Sequence, residues 1–378
     1  MSFDSNLKIG VLGGGQLGRM MIQSAIDFNL NVHSLDPDPN APCKSIASTF
    51  TNGSLTDYET VMAFGADKDL LTIEIENVNT EALKDLKAQG KQVFPQPEII
   101  ELIQNKLEQK KFYQANGIPT SPFWEVSDKT GVADLKGKLP FVNKLATGGY
   151  DGRGVQVIKD EKALDNAFDA PGFVEELVDF EKELAVIVAR NEDGEMKTFP
   201  TVEMVFHPVH NLVEYLFSPA SINSEIEEAA QSLAKEVISK IDMVGLLAIE
   251  MFLTKDGKLL VNEIAPRTHN SGHQTIEGNV TSQFEQHIRA ICNWPLGDTE
   301  TLKPSAMVNL LGEDGFTGDA IYDGMHSVLA KDGVHVHLYG KKLTKPFRKM
   351  GHITVCDSDL NRLQEKVNFV KTNLKVKA

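Results

Sequence analysis

The sequence predicts an α/β protein at its N-terminus that passes into mixed α+β structure, and three stretches carry that prediction. Residues 8–36 read as strand, glycine-rich turn, helix and strand, the opening of a parallel sheet. Residues 141–158 read as two strands around a segment with three glycines. Residues 246–265 hold two apolar runs separated by Thr254-Lys255-Asp256-Gly257. Asp-Gly between apolar runs signals a hairpin, because both central residues of the tight turn need positive φ. At 378 residues the chain exceeds one ordinary core, so two or three domains are expected.

Composition narrows the function classes. A hydrophobic share of 41% with 24% charged residues is that of a soluble globular chain. A net charge of -15 argues against non-specific nucleic-acid or anionic-membrane binding, yet leaves room for local basic sites that take phosphorylated small molecules. Cys43, Cys292 and Cys356 are far apart and odd in number, which suits a reducing compartment without a disulfide framework. No Cys/His cluster suggests zinc. With no leader at MSFDSNLK and no run near the about 18 apolar residues of a membrane span, the expected location is the cytoplasm.

Lys8 to Leu12 reads as a buried strand, followed by Gly13-Gly14-Gly15-Gln16-Leu17-Gly18 and a helix carrying Met20, Met21, Ala25 and Phe28 near helical spacing. Leu30 to Leu35 is the next strand, ending at Asp36, 18 residues after the last glycine. These are the ingredients of the dinucleotide fingerprint, in which glycines let the backbone approach a phosphate resting on the helix N-terminus. Two uses fit: an NAD-dependent dehydrogenase, or a glycine loop serving a phosphorylated substrate. Helices at Tyr58 to Phe64 and Thr80 to Gln89 flank a strand expected over Leu70 to Ile75, and Val93-Phe94 is the next strand. Strand alternation puts Glu74 and Glu76 on one face near the C-terminal end, where ligands gather in open α/β sheets.

Pro97 starts a helix expected to run to Gly117, and the pattern alone assigns no role to its Lys106, Lys110 and Lys111. Between the strands Phe141–Leu145 and Gly154–Ile158, the segment 146–153 makes a flap whose N–H groups can fold over phosphates. Lys144 supplies a point charge at its base and Arg153 a planar fork. It is not a Walker A loop, since the GK[ST] ending is missing and a strand follows. Phe173 to Val178 is a short strand able to present a donor and an acceptor to an adenine ring, with Glu183 near for ribose hydroxyls. Strands 184–190 and 196–206 form an expected hairpin, and helix 223–240 turns an apolar stripe to a core.

With Asp256-Gly257 as a two-residue loop, Lys255 pairs with Lys258 and counting outward places Glu250 opposite Glu263. Carboxylates facing across a ladder repel, and a hard divalent cation with oxygen ligands relieves that. The alternative is a longer loop that slips the register and leaves two solvated glutamates. The polar loop 265–273 follows, where Arg267 can hold an oxyanion and His269 or His273 can bond to one or move a proton. Helix 281–292 packs through Phe284, Ile288 and Ile291.

Taken together, Gly13 to Met20, Thr147-Gly148-Gly149-Tyr150-Asp151-Gly152-Arg153-Gly154, Asn262 to Arg267 and His269-Asn270-Ser271-Gly272-His273 resemble one family, the ATP-grasp carboxylases called 5-(carboxyamino)imidazole ribonucleotide synthases. The resemblance runs from residue 8 to about 355. It implies an ATP-grasp fold with an N-terminal Rossmann-like (pre-ATP-grasp) domain over 1–104, an ATP-grasp domain over 105–298 with a central subdomain of about 118–180 carrying the flap, and a small C-terminal domain over 299–378, in a homodimer. It also implies a purine-biosynthesis ligase: ATP activates bicarbonate as carboxyphosphate, and the amine of 5-aminoimidazole ribonucleotide takes up the resulting CO2. Magnesium or manganese would sit on Glu250 and Glu263.

The family's ATP contacts fall on Lys106, Lys144, Gly149 to Gly154 (through Tyr150, Asp151, Gly152 and Arg153), Glu175, Glu176, Leu177, Val178, Glu183, Asn262 and Glu263. Strict alternation would point Asn262 away from Glu263, so its contact needs a bulge or runs through backbone. Contacts to the ribonucleotide fall on Gln16, Leu17, Glu76, Tyr150, Asp151 and Arg153, and those to its phosphate on Lys341 and Arg348. Asp151 is the implied proton acceptor, with Arg267, His269 and Asn270 beside the bicarbonate-derived group. Where relatives have Glu-Asn-Ile-His, with a histidine on ATP, this chain has Glu203-Met204-Val205-Phe206, followed by His207. A non-catalytic nucleotide-binding module and the formate-using transformylases are the competing readings of the same architecture; the Tyr150–Arg153 and His269–His273 motifs favour the bicarbonate enzyme.

Overall fold

The computed structural model describes residue 4 and residues 6–149, 154–206 and 212–378. The first domain holds β1 (Lys8–Leu12), α1 (Gln16–Asp27), β2 (Asn31–Asp36), β3 (Thr49–Asn52), α2 (Tyr58–Gly65), β4 (Leu70–Ile73), α3 (Thr80–Ala88) and β5 (Gln92–Val93). Its strands form a parallel sheet in the order β3-β2-β1-β4-β5. Ile9 and Val11 bury against Met20, Met21 and Ile22 of α1. Leu12, Leu71 and Ile73 bury against Val61 and Phe64 of α2 and Leu83 and Leu86 of α3, so helices cover both faces. The strand expected over Leu70 to Ile75 ends at Ile73. Glu74 and Glu76 therefore lie beyond the ladder, where there is no strand face for them to share.

The helix expected from Pro97 to Gly117 is two, α4 (Pro97–Gln104) and α5 (Lys106–Ala115). Asn105 between them has φ -118° and ψ 103°, and its side chain accepts from the N–H groups of Leu107 and Glu108. Asparagine competes with helical backbone in an interior and favours a cap, which is why the chain breaks there. Next come β6 (Phe123–Val126), α6 (Lys129–Asp134), β7 (Phe141–Leu145), β8 (Val155–Ile158) and β9 (Gly172–Glu176), an antiparallel sheet in the order β6-β9-β7-β8.

Most of the remaining strands build one large sheet. They are β10 (Phe180–Arg190), β11 (Met196–Thr198), β12 (Val202–Phe206), β13 (Val213–Ser218), β14 (Gly245–Thr254) and β15 (Leu259–Ala265), with helices α7 (Ser224–Lys240), α8 (Thr275–Gly278) and α9 (Gln283–Ile291). The C-terminal segment adds β16 (Ser305–Leu311), β17 (Gly318–Asp319), β18 (Ile321–Asp323), α10 (Met325–Leu329), β19 (Val334–Leu338), β20 (Leu343–Thr344), β21 (Lys349–Cys356), α11 (Leu360–Asn373) and β22 (Lys375–Lys377). The order β15-β14-β10-β12-β13-β16-β21-β19 continues across residue 299, because β13 pairs with β16. Two small sheets stand apart from it, one pairing β17 with β20 and the other β18 with β22. The expected strand 196–206 divides into β11 and β12, both antiparallel to β10.

The carboxylate hairpin reaches its expected pairing by a different route. Thr254 and Lys258 close the turn, with Lys255, Asp256 and Gly257 (φ 80°) as a three-residue loop. That slips the register by one from the two-residue reading, and Leu253 faces Leu259. A bulge between Val261 and Glu263 slips it back, so Glu250 does face Glu263. The extra residue in the bulge is Asn262.

Three segments meet at α1. Leu17, Met20 and Met21 share a buried cluster with Phe284, Ile288 and Ile291 of α9 and with Tyr339 from the C-terminal segment. Each fully buried large apolar side chain there contributes about 1.5–3 kcal/mol, enough to hold the glycine turn against the large sheet.

Candidate active site

The site lies where β14 and β15, the N-terminus of α5, the end of β7 and the loop after β15 converge. Glu250 and Glu263 stand across the ladder, with side chains 17% and 42% exposed. The break at Asn105 makes Lys106 the first residue of α5, and its Nζ donates to Glu263 Oε2 at 2.5 Å. Its N–H donates to the Ala146 carbonyl at 2.8 Å, tying the helix to the flap base. Burial raises the Glu250 pKa, aided by the Glu263 and Glu183 charges. Burial acts the same way on Glu263, but Lys106 beside it outweighs that and holds it low.

The second lysine, Lys144, is shared: its charge bears on Glu263 and Glu183, but its direct ion pair is with another acid. Lys144 and Lys110 both pair with Glu175, which is 4% exposed; Lys110 Nζ lies 2.8 Å from its Oε2 and also donates to Ser121 at 2.9 Å. Burial works against the Glu175 charge, yet the two ammonium groups hold its pKa down to about 2. The Glu175 side chain is thus spent inside the protein. Lys110, to which the sequence assigns no role, is 2% exposed and braces Lys144 through Glu175. Lys144 also donates to Asn262 Oδ1 at 3.1 Å, so the bulge turns Asn262 into the site despite its place in the alternation.

Around this centre, burial pushes Glu183 up to about 7. β9 ends at Glu176, whose N–H is taken by the Pro122 carbonyl, leaving Leu177 and Val178 in the turn that follows. Gly149 and Gly154 close the flap base: a Cβ on Gly154 would meet the Gly149 Cα at 3.0 Å. Tyr150, Asp151, Gly152 and Arg153, and His207 after Phe206, lie outside the described residues. Arg267 Nε sits 2.8 Å from Glu76 Oε1, joining a loop of the large sheet to the first domain. His269 Nε2 lies 3.6 Å from Glu250 Oε1, while its Nδ1 meets Ser271 Oγ at 2.9 Å; Asn270 opens the next turn. Lys341 donates to the Lys349 carbonyl at 2.7 Å, and half-buried Arg348 donates to the Leu343 carbonyl at 2.6 Å. Lys349, which the sequence reading passed over, is close enough to Glu250 to bear on its charge. His273 is buried and lies tilted against His352 with ring centroids 4.8 Å apart, which makes it a packing residue.

The donor set suits a hard divalent cation. Among the described residues no group of three His, Cys, Asp or Glu is placed to hold a metal alone. Magnesium asks for less, taking one or two carboxylates and completing its shell with water and substrate phosphates. The glycine turn does not suit a dinucleotide. Asp36, which would hold a ribose, accepts from Gly14 and Asp38 N–H instead, both at 2.7 Å. Replacing Asn105 by Ala is expected to remove about 1 kcal/mol of stability. The same change should raise the KM for ATP several-fold by loosening Lys106, measured by melting and by steady-state kinetics.

Residues 7–104 match the ribonucleotide synthetase preATP-grasp domain, 111–284 the ATP-grasp domain, and 305–366 the phosphoribosylaminoimidazole carboxylase C-terminal domain. The N5-carboxyaminoimidazole ribonucleotide synthase of Bacillus subtilis (strain 168) is 41% identical over 92% of this chain and 90% of that one. The crystal structure of N5-carboxyaminoimidazole ribonucleotide synthetase from Thermotoga maritima has a TM-score of 0.92 at 44% identity, covering 98% of this chain and 99% of that chain. N5-carboxyaminoimidazole synthase from Aspergillus clavatus, solved in complex with ADP and 5-aminoimidazole ribonucleotide, has a TM-score of 0.89 at 34% identity, covering 97% of this chain and 98% of that chain.

Proposed function

The chain belongs to the N5-carboxyaminoimidazole ribonucleotide synthase family, and from that premise we propose how its residues share the work. It is an ATP-dependent ligase of purine biosynthesis with the ATP-grasp fold. Its substrates are ATP, bicarbonate and 5-aminoimidazole ribonucleotide. A bicarbonate oxygen attacks the γ-phosphorus as the bond to ADP breaks, giving carboxyphosphate, which splits into CO2 and phosphate. The exocyclic amine then bonds to the CO2 carbon and gives up a proton, for which Asp151 is the acceptor.

Lys106 and Lys144 turn their ammonium groups to the phosphates, with Gly149 to Gly154 closing above to keep water from the fragile intermediate. The turn after β9 and Glu183 take the adenosine end. Asn262, by the bulge that aims it at Lys144, orients that lysine. Magnesium or manganese on Glu250 and Glu263 would neutralise charge on the transferring phosphoryl group. Arg267 and His269, each anchored by a glutamate, hold the bicarbonate-derived group with Asn270, and Arg267 keeps Glu76 in place for the ribonucleotide. Gln16, Leu17, Tyr150 and Arg153 take its base and sugar, and Lys341 and Arg348 its phosphate.

The observation that carries this reading is the facing Glu250–Glu263 pair with Lys106 beside it, itself bonded to the flap base at Ala146. Phosphate release from ATP and bicarbonate is expected to rise on adding 5-aminoimidazole ribonucleotide, with one carboxylated product formed per phosphate. Hydrolysis indifferent to the ribonucleotide, or turnover without that product, would overturn it. We also assign the protein to the cytoplasm, which its free cysteines suit, and to a homodimer by family resemblance, which light scattering tests. Among the described residues no helix is long and apolar enough to cross a membrane.

A further inference from the structure

The glycine turn 13–18 opens α1, and the residue at the N-cap of that helix, Gly15, has no side chain with which to cap it. Glu74 does so from 59 residues away: its Oε1 accepts from Gly15 N–H at 2.5 Å and its Oε2 from Gly18 N–H at 2.6 Å. The Glu74 N–H donates to the Leu12 carbonyl at 2.9 Å, so the strand end itself aims the side chain. The glycines make room for it. A Cβ on Gly13 or Gly15 would overlap the Glu74 side chain, and one on Gly18 would lie 3.3 Å from Oε2. The pattern read as space for a pyrophosphate is space for a carboxylate of the same chain. Gly13 and Gly14 give their N–H groups to Leu35 and Asp36. Among the described residues nothing accepts from the N–H groups of Gln16 or Leu17.

We propose that Glu74 is a positioning residue for the ribonucleotide substrate, holding the place a phosphate takes in dinucleotide sites and thereby fixing the Gln16–Leu17 turn against that substrate. Two consequences follow from one carboxylate. The helix N-terminus is already neutralised, so a dinucleotide pyrophosphate is turned away. The two first-turn donors left over, on Gln16 and Leu17, are held in one orientation. This rests on the placement of 5-aminoimidazole ribonucleotide at Gln16 and Leu17 given above.

Steady-state kinetics of Glu74→Gln and Glu74→Ala test it. A Gln amide has one acceptor oxygen and cannot serve both glycines, so Glu74→Gln is expected to raise the KM for the ribonucleotide about tenfold while the KM for ATP moves less than twofold. Glu74→Ala leaves a gap of carboxylate size, and added acetate is expected to restore its KM for the ribonucleotide without altering that of the unmutated protein. A general loss of structure would move both KM values and lower the melting temperature in step. Both KM values moving together, neither moving, or Glu74→Ala being deaf to acetate would overturn the proposal. Should Glu74→Gln not fold, the acetate response of Glu74→Ala decides alone. An unmutated protein whose turnover ignores the ribonucleotide would instead overturn the functional reading.

Discussion

Glu263→Gln is expected to lower turnover by about a thousandfold or more while leaving the fold in place, because it removes charge from the spot where the phosphoryl group moves. The side chain is 42% exposed and glutamine keeps its size, so the loss of its charge does not open a cavity in the core. Lys106 loses its closest carboxylate in the variant and is free to swing to Glu250, the other acid of the pair. That relieves the crowding of like charges but spoils the cation position. Glu250→Gln should therefore behave alike, and a chelator should silence the unmutated protein until magnesium or manganese is returned. Phosphate release and product formation measure the loss, with circular dichroism as the control for fold. Turnover within tenfold of the unmutated protein would show that the facing acids do not hold the metal.

The largest expected effect on stability is at Glu175. Its carboxylate is enclosed with Lys110 and Lys144, and Glu175→Gln leaves two ammonium groups buried without their counter-charge. Breaking a buried ion pair from one side costs about 3–5 kcal/mol, whereas the pair as a whole adds less. The pH dependence has a definite sign. The folded carboxyl is held down to about 2, below its unfolded value of about 4.3, so its stabilisation is present above the unfolded pKa and lost as pH falls towards the folded one. The gap in stability between the unmutated protein and Glu175→Gln should stay level from about pH 5 to 8 and close towards about pH 2. Urea melts across that range measure it. A gap unchanged at acid pH would mean that the buried carboxylate is not ionised in the fold.

How much was legible in the sequence depends on how local each signal is. The βαβ opening, the two strands flanking the glycine segment and the hairpin were readable because each is a pattern of a few residues: a period, an apolar run, a turn dipeptide. The facing of Glu250 and Glu263 was reached by counting, although the count compensated two departures it did not contain, a turn one residue longer and a bulge at Asn262. Neither is a property of the turn dipeptide alone. The bulge brings Asn262 to a lysine on another sheet. The single helix read over 97–117 failed at Asn105 because its apolar spacing continues across the break, while the cap shows only in backbone angles and side-chain bonds.

The order of residues by itself determined the fold class, the acids of the hairpin, the strands on either side of the glycine segment and the loop of Arg267 and His269. All of these follow from spacing along a strand or turn. Only the tertiary structure decided which carboxylate meets which donor: Glu175 with Lys110 and Lys144, Glu76 with Arg267, and Glu74 with the glycine turn. Those partners lie far apart in the chain or on separate sheets. A charge finds its counterpart by where strand ends and helix starts come to rest, and no local period records that.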